Sequence, residues 1–506
     1  MSKILIAVLL LCSVICLTQA KLKVNPQTKQ IVDEQGNTVI LHGVNVAYKI
    51  PPFLPPNTKS FNFDNSFSTE DADRLISWGM NSIRLTIYWE AVEPVRGKYN
   101  DAYLSKVEEI VDICAKRGIY VYLDAHQDVA NKQFCGEGMP DWAIKPANAL
   151  NKFPAPLFNL KFQYDKDGYP TLESCLKNNF PIYYMTYAVE DAYQNLFSNW
   201  NGIGDAFANM WAHVASRFKD KQNLIGYEII NEPWVGNLYK NPGIAFKTDQ
   251  VMKFYNRVHN AVRKVDDQSI IFFEHPLTDA ELDAVHGSPG GPAYNDRQIL
   301  SYHVYAIGMG DPQSTKVVNS AASKLYGRVY QRLDRENLTG FLTEFGAISG
   351  LTQPGNDHMK YVLDLADNRI QSWSYWQYKY YEDYTTAARP SVCEGFFDDK
   401  GNVITEKIRV LSRPYVQLSS LPILEMRVSA TYALSVTFKK DSSNKKGLVK
   451  LYLNEDLHFT EGAQCSTKQC PSCSVLRSNS ENKHHFELDY TQAPVGELQL
   501  MCSNRI

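Results

Sequence analysis

The chain has little that would carry it across a membrane or onto nucleic acid. Past its opening residues no apolar run is long enough to span a bilayer, and its last residues do not form the apolar tail of a lipid-anchor signal. Among 506 residues the formal net charge is only -3, and lysines and arginines gather in no patch. Nucleic acid is therefore not an expected partner. Cysteine is sparse, at ten. His126 and Asp128 have no compact ligand set beside them, so no metal is expected and no cofactor is needed.

What the sequence does hold begins with a leader. Lys3 is followed by ILIAVLLLCSVICL and then Thr18, Gln19 and Ala20, the charged start, apolar stretch and small-residue end of a secretory signal cleaved after Ala20. The mature protein is expected to be secreted or lumenal, on the secretory or lysosomal route, and monomeric. Cys12 and Cys16 leave with the leader, and the remaining eight cysteines permit up to four disulfides in an oxidising compartment. Cys135 and Cys175 flank one long insertion and are candidates to staple it. Cys465, Cys470, Cys473 and Cys502 cluster late; a zinc site is the alternative there, and secretion favours disulfides. Cys114 falls on a helical pattern and reads as a free core thiol. Asn337-Leu338-Thr339 is a glycosylation sequon just before a strand.

Residues 21–37 read as a short hairpin or cap. Eight apolar, β-branched or aromatic strands then start near 40, 82, 119, 224, 270, 299, 340 and 371, with amphipathic helices between most of them. That alternation implies a parallel sheet. Eight units over nearly 400 residues fit an α/β fold of the (β/α)8 TIM-barrel type, with a doubly wound open sheet as the alternative. The catalytic domain is expected over 21–413, with an insertion at 129–197 too long for a plain connection and suited to wall a site. From 414 to 506 short alternating strands replace helices and read as a C-terminal β-sandwich.

The stretch NLIGYEIINEPW, from Asn223 to Trp234, organises the chemistry. An apolar strand ends there in Asn231-Glu232-Pro233. A carboxyl at such a place is poorly hydrated, which raises its pKa and suits it to act as an acid near neutral pH. A second acid, Glu344, ends the apolar strand GFLTEFG. Two carboxyl groups facing one bond are what glycosidic cleavage requires; a gap of about 5 Å gives retention and roughly 6.5–9.5 Å gives inversion.

The ordered set of motifs resembles glycoside hydrolase family 5. In that resemblance Glu232 in IINEP is the acid/base and Glu344 in LTEFG the nucleophile. Asn231 holds the sugar 2-hydroxyl, Arg84 in SIRLTIYW orients the nucleophile and keeps it ionised, and His126 binds substrate. His303 and Tyr305 in YHVY form the strand-six pair, and Trp376 supplies an aromatic platform. HGVNVAYKIPPFLP, DAHQDVANKQFCGEGMPDWA and YEIINEPW resemble the endoglycoceramidase group more than cellulases. That implies cleavage between an oligosaccharide and ceramide, with a glycosphingolipid as substrate and contact with a membrane surface or micelle. It also implies Lys49 and Asp128 on the sugar nearest ceramide, and Gln377 and Lys379 on the sugar side. Phe53, Leu54, Phe153, Pro154, Pro156 and Leu157 are candidates for an apolar groove. Alternative readings are a β-glucosylceramidase or β-glucanase of the same family, and a secreted glycan- or lipid-binding protein without catalysis.

Overall fold

The computed structural model describes residues 21–505 apart from 147, 149–151, 247–248, 278–284, 306–309, 387–390, 443–446 and 481; the expected leader lies outside the described residues. Three short strands come first, β1 (Lys23–Asn25), β2 (Gln30–Val32) and β3 (Thr38–Val39). The next eight close on themselves: β4 (His42–Val46), β5 (Ser82–Ile87), β6 (Tyr120–Ala125), β7 (Leu224–Glu228), β8 (Ile270–Glu274), β9 (Gln298–Val304), β10 (Thr339–Gly346) and β11 (Ser372–Trp376). Every neighbouring pair is parallel, including β11 with β4, so the sheet has no edge and the open-sheet alternative falls. Helices Asp101–Ala115, Ile203–Phe218, Asp249–Arg263, Thr315–Glu336 and Gln353–Asp367 return the chain between strands, each burying an apolar stripe.

The strand expected to start near 40 divides in two. β3 pairs with β12 (Tyr415–Ser419), and only β4 enters the barrel. Residues 21–39, which the sequence assigns to the barrel, thus lend β1–β3 to a seven-stranded sheet with four C-terminal strands; a second sheet of four strands completes the sandwich. The same hairpin closes the base of the barrel, where Leu22, Val24 and Ile31 pack with Tyr122, Phe272 and Phe341. Contacts fix the sandwich at that lower end. The Tyr415 hydroxyl donates to the Gly79 carbonyl at 2.8 Å and the Tyr452 hydroxyl to Ser77 at 2.7 Å, both just ahead of β5. Arg413 pairs with Asp364 and Asp367. The mouth formed by the carboxyl ends of the barrel strands stays clear of it.

The insertion forms one wall of that mouth. Cys135 and Cys175 are bonded across 40 residues of sequence. Cys465 pairs with Cys502 and Cys470 with Cys473, while Cys114 and Cys393 are buried free thiols. Phe153 packs on Phe134, Phe162 and Tyr183, and Leu54 is buried, so both serve the core where a groove was expected. Phe53 leans on Tyr88 with ring centroids 5.2 Å apart.

Candidate active site

Most barrel strands deliver polar side chains near or just past their carboxyl ends, around the barrel mouth, while Arg84 reaches up from the middle of β5. β7 leads to Asn231 and Glu232. The Glu232 backbone sits at φ +35, a region that L-residues avoid, just ahead of Pro233. Its N–H donates to Glu274 Oε2 at 2.8 Å, which holds the turn. The Glu232 carboxyl reaches His303 Nδ1 at 2.6 Å and keeps about 15% of its side chain open to the cleft. Burial and then the Asp128 charge raise its pKa to about 7.

Glu344 sits within β10, and its two oxygens have different partners. Arg84 Nη1 donates to Oε1 at 2.6 Å and the Tyr305 hydroxyl to Oε2 at 3.0 Å. Burial and then the Glu344 charge hold the Tyr305 phenol well above its usual pKa, so it remains a donor. Oxygens of Glu232 and Glu344 lie within 4.8 Å of each other, with His303 beside both. That is the close spacing that leaves no room for a water between two carboxyls and suits covalent double displacement.

Arg84 is fully buried on β5 and spreads its guanidinium over the barrel floor. It reaches Glu228 at 2.5 Å, Glu344 at 2.6 Å, Asn231 Oδ1 at 2.9 Å, Asn45 Oδ1 at 3.1 Å and Asp124 at 3.2 Å. Burial opposes its charge, but Asp124, Glu228 and Glu344 outweigh that and raise its pKa. Asn231 Oδ1 is taken by Arg84 and its Nδ2 donates to the Gln127 carbonyl at 3.1 Å, so the amide is held rigid beside the acids.

On the other side, Lys49 pairs with Asp128, lies 3.6 Å from Glu137 and donates to the Thr385 hydroxyl at 3.0 Å. Its ammonium also stands 4.8 Å from the Trp376 ring centroid. His126 stacks on Trp376 at 5.4 Å and is turned by Asp124, 2.7 Å from Nδ1. Burial lowers its pKa, Asp124 raises it, and the balance is upward. Lys49, His126, Asp128, Asn231, Trp376 and the two acids therefore line one cleft.

Two expected residues stand elsewhere. Lys379 turns from the cleft to Asp71 at 2.6 Å and to Ser66 and Asn62, because a buried ammonium needs a counter-charge and Asp71 supplies one. Gln377 stands behind the wall, donating to Glu394 at 3.2 Å, and it is Glu394 that faces the cleft. Asp124, Glu137, Glu228, Glu274 and Glu394 escaped the sequence reading. Asp124, Glu228 and Glu274 end or nearly end apolar strands, the same signal that marks Glu344.

Among the described residues three groups have the spacing of metal ligands: His126 with Asp128 and Glu137, Glu228 with Glu274 and His303, and Glu232 with His303 and Glu344. In the first the Lys49 ammonium already takes the cation's place between Asp128 and Glu137. In the other two Arg84 pairs with Glu228 and Glu344.

A closed parallel barrel with two apposed acids at its mouth defines a barrel glycosidase. A family model described as cellulase, glycosyl hydrolase family 5, matches residues 32–382. An endoglycoceramidase of Cyanea nozakii is 35% identical over 471 residues, covering 91% of this chain and 90% of that protein. An endoglycoceramidase of Hydra vulgaris is 35% identical over 479 residues, covering 92% and 86%. The solved endo-glycoceramidase II of Rhodococcus sp., in complex with a five-membered iminocyclitol, superposes with a TM-score of 0.73 at 21% identity, covering 94% of this chain and 100% of that one. The chain belongs to glycosyl hydrolase family 5, in its endoglycoceramidase branch.

Proposed function

We propose that this protein is a retaining endo-glycosidase that hydrolyses the β-linkage between oligosaccharide and ceramide in glycosphingolipids. One observation carries the reading: two acids with oxygens within 4.8 Å of each other hold opposite tasks because, of the two, Glu344 alone is bonded by Arg84 and the Tyr305 hydroxyl. Glu344, held in place by that cation and that donor, attacks the anomeric carbon. Glu232, protonated below its pKa of about 7, gives its proton to the ceramide oxygen as the C–O bond breaks. Ceramide leaves as a neutral alcohol and a glycosyl ester remains on Glu344. Glu232, now the base, takes a proton from water, which attacks the same carbon and frees the oligosaccharide with its configuration kept.

Asn231 meets the sugar 2-hydroxyl, while Lys49, His126, Asp128 and Trp376 grip the sugar nearest ceramide. His303 orients Glu232. Disulfides Cys135–Cys175, Cys465–Cys502 and Cys470–Cys473 suit an oxidising compartment, in line with secretion or residence in the secretory lumen. Asn337, exposed at the end of helix Thr315–Glu336, is an accessible glycan acceptor.

Mass analysis of both products from a mixed glycosphingolipid pool, with E344A as control, tests the reading. Intact oligosaccharide plus ceramide is expected. Release of single sugars alone overturns the endo assignment and favours a glucosylceramidase.

A further inference from the structure

The loop after β11 carries one acid that the double displacement does not use. Glu394 lines the cleft with Trp376 and is buried, at 3% exposed. Its place is fixed through the backbone. The Gln377 N–H donates to the Glu394 carbonyl at 2.9 Å. Lys407, a buried lysine on the helix Thr405–Leu411, takes the carbonyls on either side, donating to Val392 and Gly395 at 2.6 Å and to Cys393 at 3.1 Å. The Tyr375 hydroxyl adds a bond to the Cys393 carbonyl at 3.0 Å. The loop therefore does not need the Glu394 carboxyl group to keep its shape, and a buried carboxyl is costly to keep. Gln377 Nε2 donates to Oε2 at 3.2 Å and aims the group.

We propose that Glu394 accepts a hydrogen bond from the C6 hydroxyl of the sugar bonded to ceramide, and so makes the site select a hexose over sugars without that hydroxyl, such as a pentose. The inference rests on the glycosphingolipid reading above and deepens it. Ring geometry sets the assignment. With its anomeric carbon between Glu344 and Glu232, a pyranose seated over the barrel axis turns its 2-hydroxyl to Asn231, just past β7. C5, which bears the hydroxymethyl group, lies directly across the ring from C2. In the closed order of strands β11 lies directly across the barrel from β7, four strands away in either direction. The hydroxymethyl group therefore points to the β11 side, where Trp376 covers the apolar ring face and Glu394 stands beside it. Lys49 and Asp128 lie past β4 and β6, between those two sides, and are left for the remaining hydroxyls. A site built to bond a hydroxyl rejects the analogue that lacks it far more strongly than an apolar pocket rejects a missing methylene. Gln377 then acts through Glu394, as a positioning residue.

The test compares two soluble substrates, dinitrophenyl β-lactoside and its analogue with hydrogen in place of the C6 hydroxyl of the glucose unit. In wild-type protein kcat/KM should favour the lactoside by about 10–100-fold, the range of one buried hydrogen bond of this kind. In E394A that ratio should collapse to near one, because nothing is left to read the hydroxyl. E394Q keeps an acceptor oxygen of the same shape, so the ratio should fall only in part. A merely structural Glu394 would lower kcat/KM on both substrates by one factor and leave the ratio at its wild-type value; that result, or a wild-type ratio near one, would overturn the proposal. E344Q protein, inert to turnover, supplies a second readout. Calorimetric titration with methyl β-lactoside and with its 6-deoxyglucose analogue should show the same preference, and adding E394A should remove it. Failure of wild-type protein to cleave either substrate would strike the glycosidase reading, while the titration would still decide the role of Glu394: equal affinity for the two ligands, or a preference that survives E394A, overturns it.

Discussion

Replacing Glu232 by glutamine tests the division of labour most directly. An ordinary glutamic acid, with a pKa of about 4.3, is roughly 6% protonated at pH 5.5. At the raised pKa of about 7 the same group is roughly 97% protonated. Burial thus multiplies the acid form by about sixteen at pH 5.5. The sign follows: the acid is present below pH 7 and falls tenfold per unit above it, so the alkaline limb of kcat/KM on glycosylceramide should bend near pH 7. E232Q keeps the shape and loses the proton. On a glycosylceramide, whose alcohol leaves poorly, kcat/KM should drop by about 10²–10⁴ and the alkaline limb should vanish. On dinitrophenyl lactoside, whose phenolate needs no proton, a stopped-flow burst should persist. Steady turnover should be slow, because the water that frees the glycosyl ester has lost its base, and azide should speed it. An equal loss on both substrates in the burst phase, or an alkaline limb that survives in E232Q, would refute the assignment.

E344A should abolish cleavage of every glycoside while leaving the circular dichroism spectrum and unfolding midpoint close to wild type, and azide should restore part of the turnover of the aryl lactoside. Arg84→Met should remove activity and cost about 3–5 kcal/mol in urea unfolding, because it strands buried Asp124, Glu228 and Glu344 without their cation. E274A should lower kcat far more than it raises KM and broaden or shift the Glu232 limb of the pH profile, while E274Q should keep much of the activity, since an amide oxygen can still accept the Glu232 N–H; equal, small effects from both would deny Glu274 a positioning role. Cys135→Ser with Cys175→Ser should make the insertion sensitive to protease and, with the 40-residue separation, cost about 4 kcal/mol in chain-entropy terms where that region unfolds with the rest.

The barrel was legible because its strands are local signals: GFLTEFG and QILSYHVY announce themselves by composition, and the observed strands β9 and β10 fall on them. The partition at residue 39 was not. Val39 and His42 belong to one apolar run, and only pairing with Leu418, some 380 residues away, assigns the first to the sandwich. The sandwich reading missed its N-terminal strands for the same reason. Lys379 misled because sequence gives proximity to Trp376 and not direction; a buried Asp71 drew it the other way. The acid-at-strand-end signal was too generous by itself. It also fits Asp124, Glu228 and Glu274, and only the three-dimensional placement of Arg84 and Tyr305 separates Glu344 from them.

That crowding of acids explains why the two carboxyls differ. Asp124, Asp128, Glu137, Glu228, Glu232, Glu274 and Glu344 are gathered around two fixed cations, Arg84 and Lys49, with His126 as a third partner. Two or three positive charges cannot neutralise seven carboxylates in a buried space, so some must hold protons. Burial pushes Glu137, Glu228 and Glu274 upward with Glu232, while Asp128, beside Lys49, is pulled below the usual carboxylate range. A protonated Glu274 next to the Glu232 amide removes one repulsion and leaves its acceptor oxygen in place. Glu232 is left out of the cations' contacts, whereas Glu344 is one of the three carboxyl groups that Arg84 holds. Moving a cation should therefore exchange more than one function at once. Losing Lys49 should release Asp128 from its partner, and the Glu232 limb should move with it even though Lys49 touches neither Glu232 nor Glu344.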